Sequence, residues 1–118
     1  MKKITVLFTR SPHSTPHGRE GLDFAMLSAS FDQQVSLIFI DEGILNLLKD
    51  QQPMLTGNRD YIATFKVLPL YDVEDIFVCQ QDLALLQLNQ QDLLIDVELI
   101  NDHAIQQKLA DADEVLVF

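Results

Sequence analysis

Cysteine is almost missing from this chain of 118 residues, with Cys79 the only one. That excludes an internal disulfide, a C-x-x-C redox pair and any multi-cysteine zinc site. Bases are scarce too, 8 against 18 acids, for a formal charge of −10. Contacts to phosphates need clustered Lys and Arg, so no direct binding to nucleic acid or to an anionic membrane is expected. No apolar run approaches the ~18 residues of a membrane span, and Ile4 to Phe8 is too short for a signal-peptide core. Long low-complexity linkers and internal repeats are also lacking. What is present, 47% hydrophobic and 22% charged residues, suffices for one packed core. The expectation is a single acidic domain over residues 1–118, soluble and intracellular.

The excess of acid lies entirely beyond residue 40. Before it, Lys2, Lys3, Arg10 and Arg19 balance Glu20, Asp23 and Asp32. This suggests an acidic outer surface and no domain boundary.

Short apolar runs alternate with helical patterns. Ile4 to Thr9, Val35 to Ile40, Ile76 to Cys79, Ile95 to Ile100 and Glu114 to Phe118 read as strands. A helix starts at the Thr15-Pro16 cap and runs to about Ser30. Asp41 is expected to cap a second, and Asn58 and Asp60 open a third from Arg59 to Val67, ended by Pro69. A leucine-rich helix is expected from Gln80 to Leu88, and another, capped by Asp102, through Leu109. Buried strands between helices predict an α/β fold: a three-layer, doubly wound, mostly parallel five-stranded sheet. Chemistry in such sheets belongs at the carboxyl ends of the strands, here residues 10–17, 41–43, 79–82 and 101–103.

Those ends carry few reactive groups. The loop from Arg10 to Gly21 has neither G-x-G-x-x-G nor a Walker lysine. It could hold a small anion on helix amides, helped by Arg10 or Arg19. His13 and His17 have helical ligand spacing, but Pro16 interrupts it and no third ligand is near. No metal and no cofactor is expected; His13, His17 and Arg19 are read as supporting or docking residues. Asp41 and Glu42 suit a helix N-terminus better than a magnesium site. A phosphoacceptor receiver domain would need an acid where Cys79 stands.

Cys79 ends a strand at a helix start, where free amides favour thiolate. Asp75 and Asp82 lie near in sequence and disfavour it. A thiol phosphatase or rhodanese loop needs an arginine six residues on, where the chain has Leu85. The residues favour a buried, inert thiol over a reactive one and leave Cys79 as a weak candidate sulfur carrier.

The helix near residues 60–71 is apolar nearly all round. On a helical wheel Tyr61, Phe65 and Leu68 cluster, with Ile62 beside them; Ala63 and Val67 lie opposite, joined by Leu70 and Tyr71 if the turn continues past Pro69. Such a helix is normally covered on more than one side. One sheet face covers one side, so Tyr61, Ile62, Phe65, Leu68 and Tyr71 are interface candidates for a second subunit. The alternative is that residues 50–57 fold over it.

Three stretches carry a resemblance: His17-Gly-Arg-Glu-Gly-Leu-Asp23, Asn58-Arg-Asp-Tyr-Ile-Ala-Thr-Phe-Lys66 and Leu70-Tyr-Asp-Val-Glu-Asp-Ile-Phe-Val-Cys79. Together they resemble the TusC/DsrF family of sulfur-relay subunits over nearly the whole chain. The resemblance implies a DsrE-like fold and a cytoplasmic complex of three related subunits, each present twice, with TusB-like and TusD-like partners in a dimer of heterotrimers. Such a heterohexamer takes persulfide sulfur from a TusA-like carrier. It passes the sulfur towards a TusE-like carrier and the thiouridylase that makes 2-thiouridine at the tRNA wobble position. The principal sulfur-accepting cysteine of that complex belongs to the TusD-like subunit, so the chain is expected to be an accessory subunit and no enzyme by itself. The DsrF branch, working in dissimilatory sulfur oxidation, and a stand-alone small-molecule or anion-binding module using the first loop are the alternatives.

Overall fold

Apolar strands alternate with helices that pack against them. The structure, a computed structural model, describes residues 2–10, 17–31, 33–48, 68, 73 and 75–118, with the backbone alone at 17–19. The strands are β1 (Lys3–Phe8), β2 (Gln34–Phe39), β3 (Asp75–Cys79), β4 (Glu98–Ile100) and β5 (Glu114–Val117). They form one five-stranded sheet in the order β4-β3-β2-β1-β5, parallel at every pairing. Helices α1 (His17–Ala29), α2 (Gln80–Leu85) and α3 (Asp102–Asp111) connect them, with 3-10 turns at Asp41–Leu47 and Gln90–Asp92.

Topology decides which face each helix covers. From β1 to β4 the chain steps along the sheet in one direction; from β4 to β5 it crosses back over the whole sheet. Crossovers of one hand must then put α3 on the opposite face from α1 and α2. The core divides accordingly. On one face Ile4, Val6 and Phe8 of β1, Val35, Leu37 and Phe39 of β2, and Ile76 and Val78 of β3 pack with Leu22 and Ala25 of α1 and Leu83 of α2. On the other, Ile38, Phe77, Cys79 and Ile100 pack with Ile105 of α3. The central strands β1 to β3 have apolar cover on both faces, as parallel sheets require, while Val115 and Val117 of the edge strand β5 stay exposed.

Several element ends differ from expectation. Asp41 does not cap: the N-cap position is Ile40, with no side-chain bond, and Asp41 itself takes a left-handed φ of 49°, which Asp tolerates better than most residues. The last helix is capped by Asn101, whose side chain accepts from the Ala104 N–H at 2.8 Å; Asp102 is its first residue. The helix expected to reach Leu88 stops at Leu85, and Gln87 follows at φ 60°. The strand expected over 95–100 is only Glu98–Ile100. The Thr15-Pro16 start and the helix over 59–67 lie outside the described residues.

Gly43 fixes how closely the turn after β2 approaches β1. A Cβ there would lie 2.0 Å from the Phe8 carbonyl oxygen and 2.4 Å from its carbon. Both are backbone atoms of a central strand, and the Ile40 N–H already bonds that oxygen at 3.0 Å, so no rotamer change relieves the overlap. Gly43→Ala is expected to cost more than about 2 kcal/mol, read as a lower urea midpoint at unchanged slope. A midpoint within error of the parent would contradict the close approach.

Candidate functional site

Helices α2 and α3 leave the ends of the neighbouring strands β3 and β4 for opposite faces, the place where sheets of this topology bind their ligands. Cys79 ends β3 and pairs in register with Ile100, the last residue of β4. Asn101 and Asp102 follow Ile100 directly, so the register brings the start of α3 beside the thiol. Cys79 also occupies the N-cap position of α2.

The thiol is enclosed and faces acids. Cys79 is 1% exposed. Its Sγ donates to Asp102 Oδ1 at 3.5 Å and to Gln81 Oε1 at 3.6 Å. Burial pushes the thiol pKa up; the negative Asp82 and the hydrogen bonds to the Asp102 and Asp82 carboxylates push the same way, while the Asp82 backbone N–H opposes them. The thiol is therefore held as a proton donor at neutral pH, whereas nucleophilic sulfur chemistry needs the thiolate.

Asp82 also reaches across the edge. Its Oδ2 accepts from the Asp41 N–H at 2.8 Å, tying the turn after β2 to the start of α2 and supporting the left-handed Asp41. Asp41, Glu42, Asp82, Leu85 and Leu86 line a cavity of about 150 Å³ there; Leu85 is 79% exposed. Three carboxylates make this edge unwelcoming to an anion. Buried Asn46 holds the exit of β1: its Nδ2 donates to Arg10 O at 3.0 Å and to Gly43 O at 2.8 Å.

Sequence reasoning found Cys79 and placed it on the right strand end. Of the acids it set beside the thiol, Asp82 is there, but Asp75 begins the same strand and stands at the far edge of the sheet. Asp102, a hydrogen-bond partner, was missed as a neighbour because only the pairing of β3 with β4 brings it near. Leu68, an interface candidate, is fully buried in the core of the chain itself: the wheel defines the helix faces and not which of them turns inward. Tyr61, Ile62, Phe65, Tyr71 and His13 lie outside the described residues. His17 and Arg19 belong to α1, their side chains outside the description. Among the described residues, no three His, Cys, Asp or Glu side chains group as a metal site.

A family model described as DsrE/DsrF-like matches residues 2–118. The chain is 42% identical over 118 residues, 100% of both proteins, to the Protein TusC homolog of Aliivibrio fischeri. Among solved structures, the ychN protein from E. coli superimposes with a TM-score of 0.84 at 20% identity over 100% of both chains. The MTH1491 protein from Methanobacterium thermoautotrophicum, of unknown function by its own description, gives 0.64 at 11% identity, covering 98% of this chain and 99% of that one. At such identities these two structures are similar in fold alone.

The raised thiol pKa carries a sign. A thiol that deprotonates later in the folded than in the unfolded chain stabilises the fold below the ordinary thiol value of about 8.5. That contribution is lost as pH rises through the folded value. Alkylation of Cys79 by iodoacetamide should be slower at pH 7 than that of a free thiol. Its pH–rate midpoint should move down in Asp82→Asn and in Asp102→Asn. A midpoint below that of free cysteine, or one that neither variant moves, would contradict the acidic environment.

Proposed function

The chain belongs to the DsrE/DsrF-like family, and from that footing we propose that it is an accessory, docking subunit of a sulfur-relay complex. The full-length likeness to a TusC homolog supports the relay. The observation that carries the accessory role is the state of Cys79, buried and donating its proton towards Asp102. A sulfur acceptor must present a thiolate to an incoming persulfide; this thiol is enclosed and kept neutral.

In this proposal the chain sits with TusB-like and TusD-like subunits in a dimer of heterotrimers, and sulfur arrives from a TusA-like carrier and leaves through a TusE-like one. The relay serves 2-thiolation of the wobble uridine of tRNA. The charge of −10 supports contact with proteins and no direct contact with the tRNA. Tyr61, Ile62, Phe65 and Tyr71 are the proposed contacts to a neighbouring subunit, as large apolar side chains in a stretch whose sequence reads as a helix apolar nearly all round.

Replacing Cys79 by Ser should leave complex assembly and tRNA 2-thiolation largely intact. Tyr61→Ala and Phe65→Ala should each weaken association with the related subunits by at least about tenfold, about 1.4 kcal/mol, with a smaller effect on the melting of the chain itself. Both are read by co-purification and by mass spectrometry of tRNA nucleosides. An assembled Cys79→Ser complex that no longer thiolates would make Cys79 a carrier and end the accessory reading. A chain that remains monomeric in the presence of the related subunits would end the assembly claim.

A further inference from the structure

One row of the sheet breaks the apolar pattern. On the α3 face, Thr5, Ser36 and Asp75 stand side by side on β1, β2 and β3, while the next row towards the carboxyl edge is Leu7, Ile38 and Phe77. The polar row lines a cavity of about 200 Å³ at the amino edge, away from Cys79, with Lys3 at the start of β1 and Lys108 and Asp111 near the end of α3.

Thr5 is 4% exposed. Among the described residues its hydroxyl has no hydrogen-bond partner, and the side chains of Lys3, Ser36, Asp75, Lys108 and Asp111 make neither a hydrogen bond nor an ion pair. Lys108 is held another way: its Nζ stands 4.0 Å from the centre of the Phe77 ring. That contact fixes the ammonium while leaving its N–H donors free. The side chains of Lys3, Thr5, Ser36, Asp75, Lys108 and Asp111 thus border one cavity together with Gln34, and the unpartnered Thr5 hydroxyl is open to a ligand there.

We infer that this cavity binds a small zwitterion, a ligand of the α-amino-acid class with a carboxylate and an ammonium on one short frame. Lys3 and Lys108 attract the carboxylate, and the Thr5 and Ser36 hydroxyls can donate to its oxygens. Asp75 and Asp111 attract the ammonium. A purely anionic ligand would meet both aspartates and a purely cationic one both lysines, so neither single-signed class matches the lining. The volume equals that of about six or seven waters at ~30 Å³ each, room for a small amino acid. The site shares no residue with the surroundings of Cys79 and does not depend on the relay role.

Calorimetric titration of the full chain as purified, with any subunits that accompany it, tests this. L-alanine is the probe, and acetate, methylamine and phosphate are the single-signed comparisons. Saturable L-alanine binding, at least about tenfold tighter than any of the three, is expected. Thr5→Val keeps the side-chain shape, and Lys108→Met keeps a flexible stem over Phe77. Each should weaken L-alanine binding at least about tenfold with the thermal midpoint unchanged. Acetate or phosphate binding as tightly as L-alanine would make this a plain anion site and overturn the inference. No saturable L-alanine binding up to about 10 mM, or equal binding in both variants, would show only a solvated rim and overturn it too.

Discussion

At Phe8, the last residue of β1, four parts of the chain close on one ring and one carbonyl. Phe39 of β2 stacks on the ring at 4.6 Å, 6° from parallel, and Phe118 leans against it at 6.5 Å. A Cβ on Gly21 of α1 would come within 2.8 Å of the ring, so α1 lies as close to the sheet as it does because that residue has no side chain. Gly43 presses on the Phe8 carbonyl in the same manner from the turn after β2. This junction fixes the height of the carboxyl edge: it sets the exit of β2, hence the Asp41 amide, which bonds Asp82 at the start of α2.

The consequence reaches Cys79. The ends of β3 and β4 are where this topology offers a place for chemistry, and here they hold a thiol with carboxylates on both sides. Asp82 belongs to the α2 side and Asp102 to the α3 side, so both helices that part there bring negative charge to the thiol. A protein whose task was to accept sulfur at this point would gain from the opposite sign. The proposed relay role therefore rests on what the chain offers to other subunits, in line with its likeness to a TusC homolog.

The layered fold was legible because its signal is local. Apolar runs of a few residues, separated by helical periodicity, name a parallel sheet wherever they occur, and β1, β2 and β3 lie within a residue of where their Ile, Val and Leu runs put them. The caps were harder. Asp41 and Asp102 are good capping residues, but the chain turns one residue earlier in both places. At the first, backbone contact with β1 decides; at the second, Asn101 competes for the same amide and wins. The surroundings of Cys79 were half legible: Asp82 is three residues away in the same helix start, whereas Asp102 is 23 residues away and arrives by strand register alone. Leu68 marks the limit of a helical wheel, since the core took a residue that the wheel had grouped with an outward cluster. The polar row of Thr5, Ser36 and Asp75 was invisible in one dimension because each sits singly in an apolar strand.

In the proposed accessory role, sulfur passes through the complex without residing on this chain. The direct measurement is to purify the native complex during active sulfur transfer, block free thiols and persulfides with distinguishable reagents, and map each subunit by mass spectrometry. Persulfide is expected on a cysteine of a partner subunit, with Cys79 an unmodified thiol throughout. A persulfide on Cys79 that appears on addition of the sulfur donor and disappears on addition of the acceptor would contradict it.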